Sequence, residues 1–144
     1  MELRKIHLYG SDIEDYEVLS ALIQDAAIPT SEMKFDKVEK QFFLVCSRFS
    51  WESRLQNKGN KRIVSGICFD NVIEVKKKNF PSFNSESILN FLTLKKVTGF
   101  IELIFSNNIL IKLVGNNISF RIDDLNKEWP TIFSPNHKKL DDER

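Results

Sequence analysis

A chain of 144 residues with 42% hydrophobic and 28% charged side chains has the size and composition of one soluble globular domain. Its formal net charge of +1 provides no global field to draw in nucleic acid or anionic lipid. Two cysteines are too few for a disulfide framework, a classical zinc site would require both ends of the chain, with their two histidines, to meet one strand, and no stretch approaches the roughly 20 apolar residues of a membrane-spanning helix.

The start, Met1-Glu2-Leu3-Arg4-Lys5-Ile6-His7, is too polar for a secretory leader, so a cytoplasmic protein is expected. Leu3 to Tyr9 alternates weakly and reads as a short first strand. Gly10-Ser11-Asp12-Ile13-Glu14 then announces a helix over about residues 12–26. Ser11 is placed to cap the free amides, with Glu14 three residues later as in a capping box. Asp12, Glu14, Asp15 and Glu17 crowd the positive end of the helix dipole. Tyr16, Leu19, Leu22 or Ile23, and Ala26 share one stripe at helical spacing, expected to be core. Pro29 closes the element.

Met33 to Phe35 and Gln41 to Trp51 read as strands around the polar turn from Asp36 to Lys40. The second strand is apolar on both alternating faces and is expected to be covered on both sides. Phe43, Val45, Phe49 and Trp51 point one way. Phe42, Leu44, Cys46 and then Arg48 point the other. A cation ending an apolar file needs a partner, because burying it unpaired costs several kcal/mol.

Ser53 to Lys61 reads as a polar loop, Arg62 to Val75 as a long strand bent near Asp70-Asn71, and Lys76 to Ser85 as a second loop. Strands resume at Ile88–Val97, Phe100–Phe105, Ile109–Val114 and Ile118–Ile122. Thr98-Gly99, Asn107-Asn108 and Gly115-Asn116-Asn117 are the turns between them, because Asn and Gly tolerate positive φ. Phe100 to Ile122 is expected to form a continuous antiparallel meander. Ile101, Leu103 and Phe105 then face one way, with Phe100, Glu102 and Ile104 opposite. Trp129-Pro130 opens a C-terminal segment that is expected to lie across the body. Residues 1–137 are therefore one α+β domain, an N-terminal helix on a mainly antiparallel sheet system, and 138–144 a charged tail. Phe35 to Val38 and Phe42 to Val45 echo Leu94 to Val97 and Ile101 to Ile104 at a constant shift of 59 residues. The echo suggests two pseudo-symmetric β halves, against the plainer reading that hairpins resemble one another.

Catalytic templates are missing: no G-x-S-x-G elbow, P-loop, dinucleotide fingerprint or H-E-x-x-H occurs. His7 and His137 lie at opposite ends of the chain, and Cys46 and Cys68 read as structural thiols. Catalytic residues are not identified, and no metal or cofactor is expected. Asp25, Glu52, Asp70 and Asp123 are available carboxylates, but no spacing makes any two converge.

Among Gln24, Asp25, Arg48, Trp51, Glu52 and Arg62, Asp25 sits at the unfavourable end of the helix dipole. A buried Asp25–Arg48 ion pair joining helix to strand is the structural expectation. The functional alternative is an enzyme or sensor for a small anionic ligand, with Arg48 or Arg62 in a cleft walled by Trp51. Lys76-Lys77-Lys78, with Arg54, Lys58, Lys61 and Arg62 and the rings of Phe80 and Phe83, form a phosphate-binding alternative, but balanced charge favours solvated loops. Binding is favoured over catalysis, on a contact surface of Trp51, Arg54, Lys58, Trp129 and His137. That surface suits a protein partner or self-association, without membrane or nucleic acid.

Several stretches, in order along nearly the whole chain, resemble one family. They are Leu22-Ile23-Gln24-Asp25-Ala26, Phe43 through Ser47-Arg48-Phe49-Ser50-Trp51-Glu52, Arg62 with Gly66-Ile67-Cys68-Phe69-Asp70-Asn71-Val72, and Asp124-Leu125 with Trp129 and Pro135-Asn136-His137. The pattern is similar to bacterial domain-of-unknown-function family 2948. Ile-Gln-Asp-Ala and Arg-Phe-Ser-Trp-Glu are its most specific parts here, and Lys and Asn replace Arg-rich stretches. The resemblance implies a small intracellular bacterial protein and brings no activity, cofactor or catalytic residue.

Overall fold

The computed structural model describes residues 5–50, 61–81 and 87–125. Strand β1 (His7–Gly10) leads to helix α1 (Ile13–Leu22). Then come β2 (Ala27–Pro29), a 3-10 turn (Thr30–Glu32), β3 (Lys34–Asp36), β4 (Gln41–Phe49), β5 (Arg62–Asp70) and β6 (Glu74–Lys78). The last four strands are β7 (Ile88–Val97), β8 (Phe100–Phe105), β9 (Leu110–Val114) and β10 (Ser119–Asp124). The strands run β1-β10-β5-β4-β2-β7-β8-β9-β6, with β3 added to β4. The pairings are antiparallel. Short β2 is the joint between the two larger groups of strands.

Helix α1 begins one residue later than the sequence suggests. Asp12, not Ser11, is the cap. Its carboxylate accepts the Asp15 amide at 2.8 Å, and the Asp15 carboxylate accepts the amides of Asp12 (3.2 Å) and Ser11 (2.9 Å). This phase buries Tyr16, Leu19, Ile23 and Ala26. Gly10 permits it, because a Cβ there would stand 2.5 Å from Asp15 Cβ and 2.7 Å from the Phe120 ring. The helix ends at Leu22, short of 26, because the following backbone is taken by β7. The Asp25 amide donates to Phe91 O at 3.0 Å, and the Phe91 amide to Ala26 O at 2.9 Å. Pro29 lies in β2 rather than ending the helix.

On β4, Phe42, Leu44, Cys46 and Arg48 face the core. The opposite face is not covered throughout, since Phe43 is 37% exposed. Strand β5 pairs along all of β4, from Gln41↔Asp70 to Phe49↔Arg62. Tyr16 locks the helix over this group: its hydroxyl donates to Ile118 O at 2.7 Å and its ring meets Phe120 edge-on at 4.8 Å.

Lys76 to Lys78, expected as loop, belong to strand β6, paired with β9 from Glu74↔Val114 to Lys78↔Leu110. β6 ends the strand order. Lysines suit such an edge, because they oppose pairing with another chain. A lysine run also hides the alternation by which a strand is recognised.

Half of the expected meander forms. β8 and β9 make a hairpin whose Asn107 and Asn108 take φ of 65° and 60°, as a type I′ turn requires. Ile101, Leu103 and Phe105 are buried, and Phe100, Glu102 and Ile104 lie on the more open face. β10 instead leaves β9 and pairs with β5 and β1, which carries Phe120 beneath α1. The echoed hairpins are β3–β4 and β7–β8. Lys37 to Lys40 form the turn of the first, and Thr98-Gly99 that of the second.

Candidate functional site

Two inward files carry opposite charges to the same place. On β4 the file is Phe42, Leu44, Cys46, Arg48; on β10 it is Phe120, Ile122, Asp124. Ser65 on β5 lies between them, opposite Cys46 on one side and Asp124 on the other. Arg48 grips Asp124 with two bonds, Nη2 to Oδ2 at 2.8 Å and Nε to Oδ1 at 3.2 Å. Ser65 Oγ donates to Asp124 Oδ1 at 2.6 Å, and the Ile6 amide donates to Oδ2 at 2.8 Å. Arg48 Nε also reaches Ser65 Oγ at 3.2 Å, and Nη1 donates to Phe49 O at 3.2 Å. The Arg48 and Asp124 side chains are 0% and 2% exposed.

Among the described residues, the carboxylate that holds Arg48 is therefore Asp124, not Asp25. Asp25 is exposed and takes φ of 64° just beyond the helix. Asp tolerates this left-handed conformation better than most residues. Its place after the helix is a backbone role, and it was never the buried charge that Arg48 required. The sign that identifies Asp124 is the alternation of β10, apolar, apolar, then acidic, mirroring β4.

Arg62, the second expected anion ligand, donates through Nη1 to Ser47 O at 2.7 Å and lies 4.2 Å over the Phe49 ring. Trp51, Glu52, Arg54, Lys58, Trp129 and His137 lie outside the described residues. The structure thus brings none of the expected contact surface into view, and it separates Arg48 from Asp25.

Neither thiol is activated. Burial pushes the Cys46 thiol up to about 12. Burial also raises Cys68, although Arg121 Nη2 donates to its sulfur at 3.2 Å and opposes the shift. A reactive cysteine needs the reverse shift. Asp70 accepts from Gln41 Nε2 at 2.8 Å and pairs with Arg121 Nε at 3.4 Å; Asp123 pairs with His7. Asp70 and Asp123 share the outer face of the β5–β10 pair, opposite Ser119 and Gly66 respectively. They are four residues apart along it, about 14 Å, too far to act on one bond. Among the described residues, no group of three or more His, Cys, Asp or Glu is placed to hold a metal ion. No helix among them is long and apolar enough to cross a membrane.

A further open feature is the outer face of β6–β9. Register places Lys76, Lys112, Glu102 and Lys95 in one row across the four strands. Flanking rows hold Val114, Phe100 and Val97 on one side and Leu110 and Ile104 on the other. Lys76 and Lys95 are exposed, and the apolar members are partly exposed. Lys112 Nζ lies 4.0 Å over the Phe100 ring.

Among the described residues, the architecture and its closed polar core define a mostly antiparallel α+β protein with one helix and a lysine-bearing sheet face. The chain belongs to the family described as "Protein of unknown function (DUF2948)", whose model matches residues 6–137. No curated protein and no solved structure matches it.

Proposed function

We propose that this is a non-enzymatic protein-interaction module that works in the cytoplasm of a bacterium. The observation that carries the reading is the closure of Arg48: its guanidinium is spent on Asp124, Ser65 and Phe49 O, with no exposed surface. An arginine in that state stitches β4, β5 and β10 together and offers no donor to an incoming anion. Arg62 is exposed, with Nη1 donating to Ser47 O and its guanidinium lying over the Phe49 ring. The alternative, an enzyme or sensor for a small anionic ligand, therefore has less support. The open face of β6–β9 supports a contact role, because it presents partly exposed apolar rows on either side of a row of charges that can select a partner. The surface of Trp51, Arg54, Lys58, Trp129 and His137 belongs to the same proposal, as does the reading of the echoed hairpins as two related halves.

Affinity capture from the native host tests the reading, comparing wild type with the Lys76→Glu/Lys95→Glu variant and with Arg54→Glu/Lys58→Glu. A reproducible, identified partner lost from one folded variant is the expected result. Equal capture by all three, together with turnover in a broad substrate screen that Arg62→Ala abolishes, would establish the enzyme instead.

A further inference from the structure

Charge is segregated in this fold far more than a net +1 suggests. On the outer face of β6 to β9 register places four lysines (76, 78, 95 and 112) against two glutamates (74 and 102), while Lys77 and Lys96 lie on the opposite side, in register with the buried Ile111 and Ile101. Helix α1 carries Glu14, Asp15 and Glu17 and no basic residue. The helix also shows a second apolar stripe besides the one it buries. Ile13 is 58% and Val18 53% exposed, and with Glu14, Glu17 and Ala21 they form one outward stripe at helical spacing. One molecule thus presents an acidic, apolar helix face and a basic, apolar sheet face, which adjoin where Ile13, Glu17 and Ala21 of α1 and Lys95 of β7 line one groove.

We infer that the partner on the β6–β9 face is a second copy of this chain, docked through the outward stripe of its α1. The inference rests on the interaction-module reading and names its occupant. Glu14 and Glu17 of the incoming helix meet the row of Lys76, Lys112 and Lys95, and Ile13 and Val18 settle against Phe100 and Ile104. Helix on sheet is the usual way to bury both an apolar stripe and an apolar sheet face. Sheet against sheet is disfavoured, since each face brings a net positive row to the other. The contact is head-to-tail, so each molecule keeps one free helix and one free sheet face. Helix α1, at ten residues, is about 15 Å long. Four strands span about 14 Å between their outer members. That footprint is at the small end of specific interfaces, so association is weak, concentration-dependent and weakened by salt. Nucleic acid fits the face poorly: Glu102 interrupts the cationic row, Lys112 caps the Phe100 ring, and no arginine is present on these strands.

Sedimentation velocity over a concentration series, at low and high salt, tests this with wild type, Lys76→Glu/Lys95→Glu and Glu14→Lys/Glu17→Lys. Circular dichroism and thermal melts confirm that each is folded. Wild type is expected to sediment faster with rising concentration at low salt, and less so at high salt. Each variant alone remains a monomer under the same conditions. An equimolar mixture of the two associates again, because the native helix of one meets the native sheet of the other. Wild type that stays monomeric throughout, variants that associate like wild type, or a mixture that stays monomeric would each overturn the inference. Should wild type stay monomeric while the Lys76→Glu/Lys95→Glu variant loses a different captured protein, the module reading survives and the second copy does not.

Discussion

Arg48 and Asp124, 76 residues apart in sequence, are joined by a two-pronged ion pair inside the sheet. The pair is closed on all sides by protein and is shared with Ser65 and the Ile6 amide. It fixes β10 against β4 and β5 and ties the chain ahead of β1 to the same point. Desolvation of two charges offsets much of their attraction, so the pair gives registration more than net stability.

Breaking it from one side has a definite cost. Arg48→Ala leaves the Asp124 carboxylate buried beside Ser65, and Asp124→Asn takes a carboxylate away from a buried guanidinium. Each is expected to destabilise the fold by about 3–5 kcal/mol. The double substitution costs less than the sum of the two, and denaturant unfolding of the four proteins measures the coupling. Wild-type-like stability of either single variant would show that the pair does not staple the sheet.

Gly115 is required by contact rather than by φ. A Cβ there would stand 2.1 Å from Asn71 O, a backbone atom that cannot swing away. Gly115→Ala forces apart the segments that follow β5 and β9, at a cost of about 1–3 kcal/mol. Gly99 offers the contrast, with open space around its added Cβ but φ of 93°, so Gly99→Asn is tolerated better than Gly99→Val. Thermal melts of the three variants check the order.

The capping box sets an acid-side dependence. Amides of Ser11 and Asp12 hold the Asp15 carboxyl below its ordinary value of 3.8. Its folded value is the lower one, so its contribution is present above that ordinary value and is lost as pH falls through the folded value. Asp15→Asn is expected to flatten the decline of melting temperature below about pH 4. An unchanged slope would contradict the role of the box.

Cys46 sets the opposite dependence. Burial raises its thiol from 9.0 to about 12. Here the folded value is the higher one, so the stabilisation is intact below pH 9 and is lost as pH rises toward 12. Cys46→Ala removes one proton from the alkaline limb, and its stability falls less steeply with pH across that window than that of wild type. Parallel slopes would contradict it.

Much of the architecture was legible because its signals are local. Asn107-Asn108 announces its turn, and the alternation in Phe100–Phe105 announces its faces. The inward file of Phe42, Leu44, Cys46 and Arg48 is equally plain, as is the need of Arg48 for a partner. The identity of that partner was not local: the sequence suggests Asp25, at a helix end, whereas Asp124 lies 76 residues away on a strand that comes alongside only through the sheet. The strand status of Lys76–Lys78 was masked because an edge strand that resists pairing looks like a solvated loop. The route of β10 away from β9 depends on packing Phe120 under Tyr16, which no hairpin signal encodes.

The most direct test of the contact role is lysine footprinting of the native protein in host extract against the purified protein at high dilution. Lys76, Lys95 and Lys112 are expected to lose reactivity in extract relative to dilute protein. Lys37 and Lys40, exposed on the β3–β4 turn, serve as internal controls and keep theirs. Equal reactivity of all five lysines in both samples, or protection confined to Lys37 and Lys40, would contradict the assignment of β6–β9 as the working face.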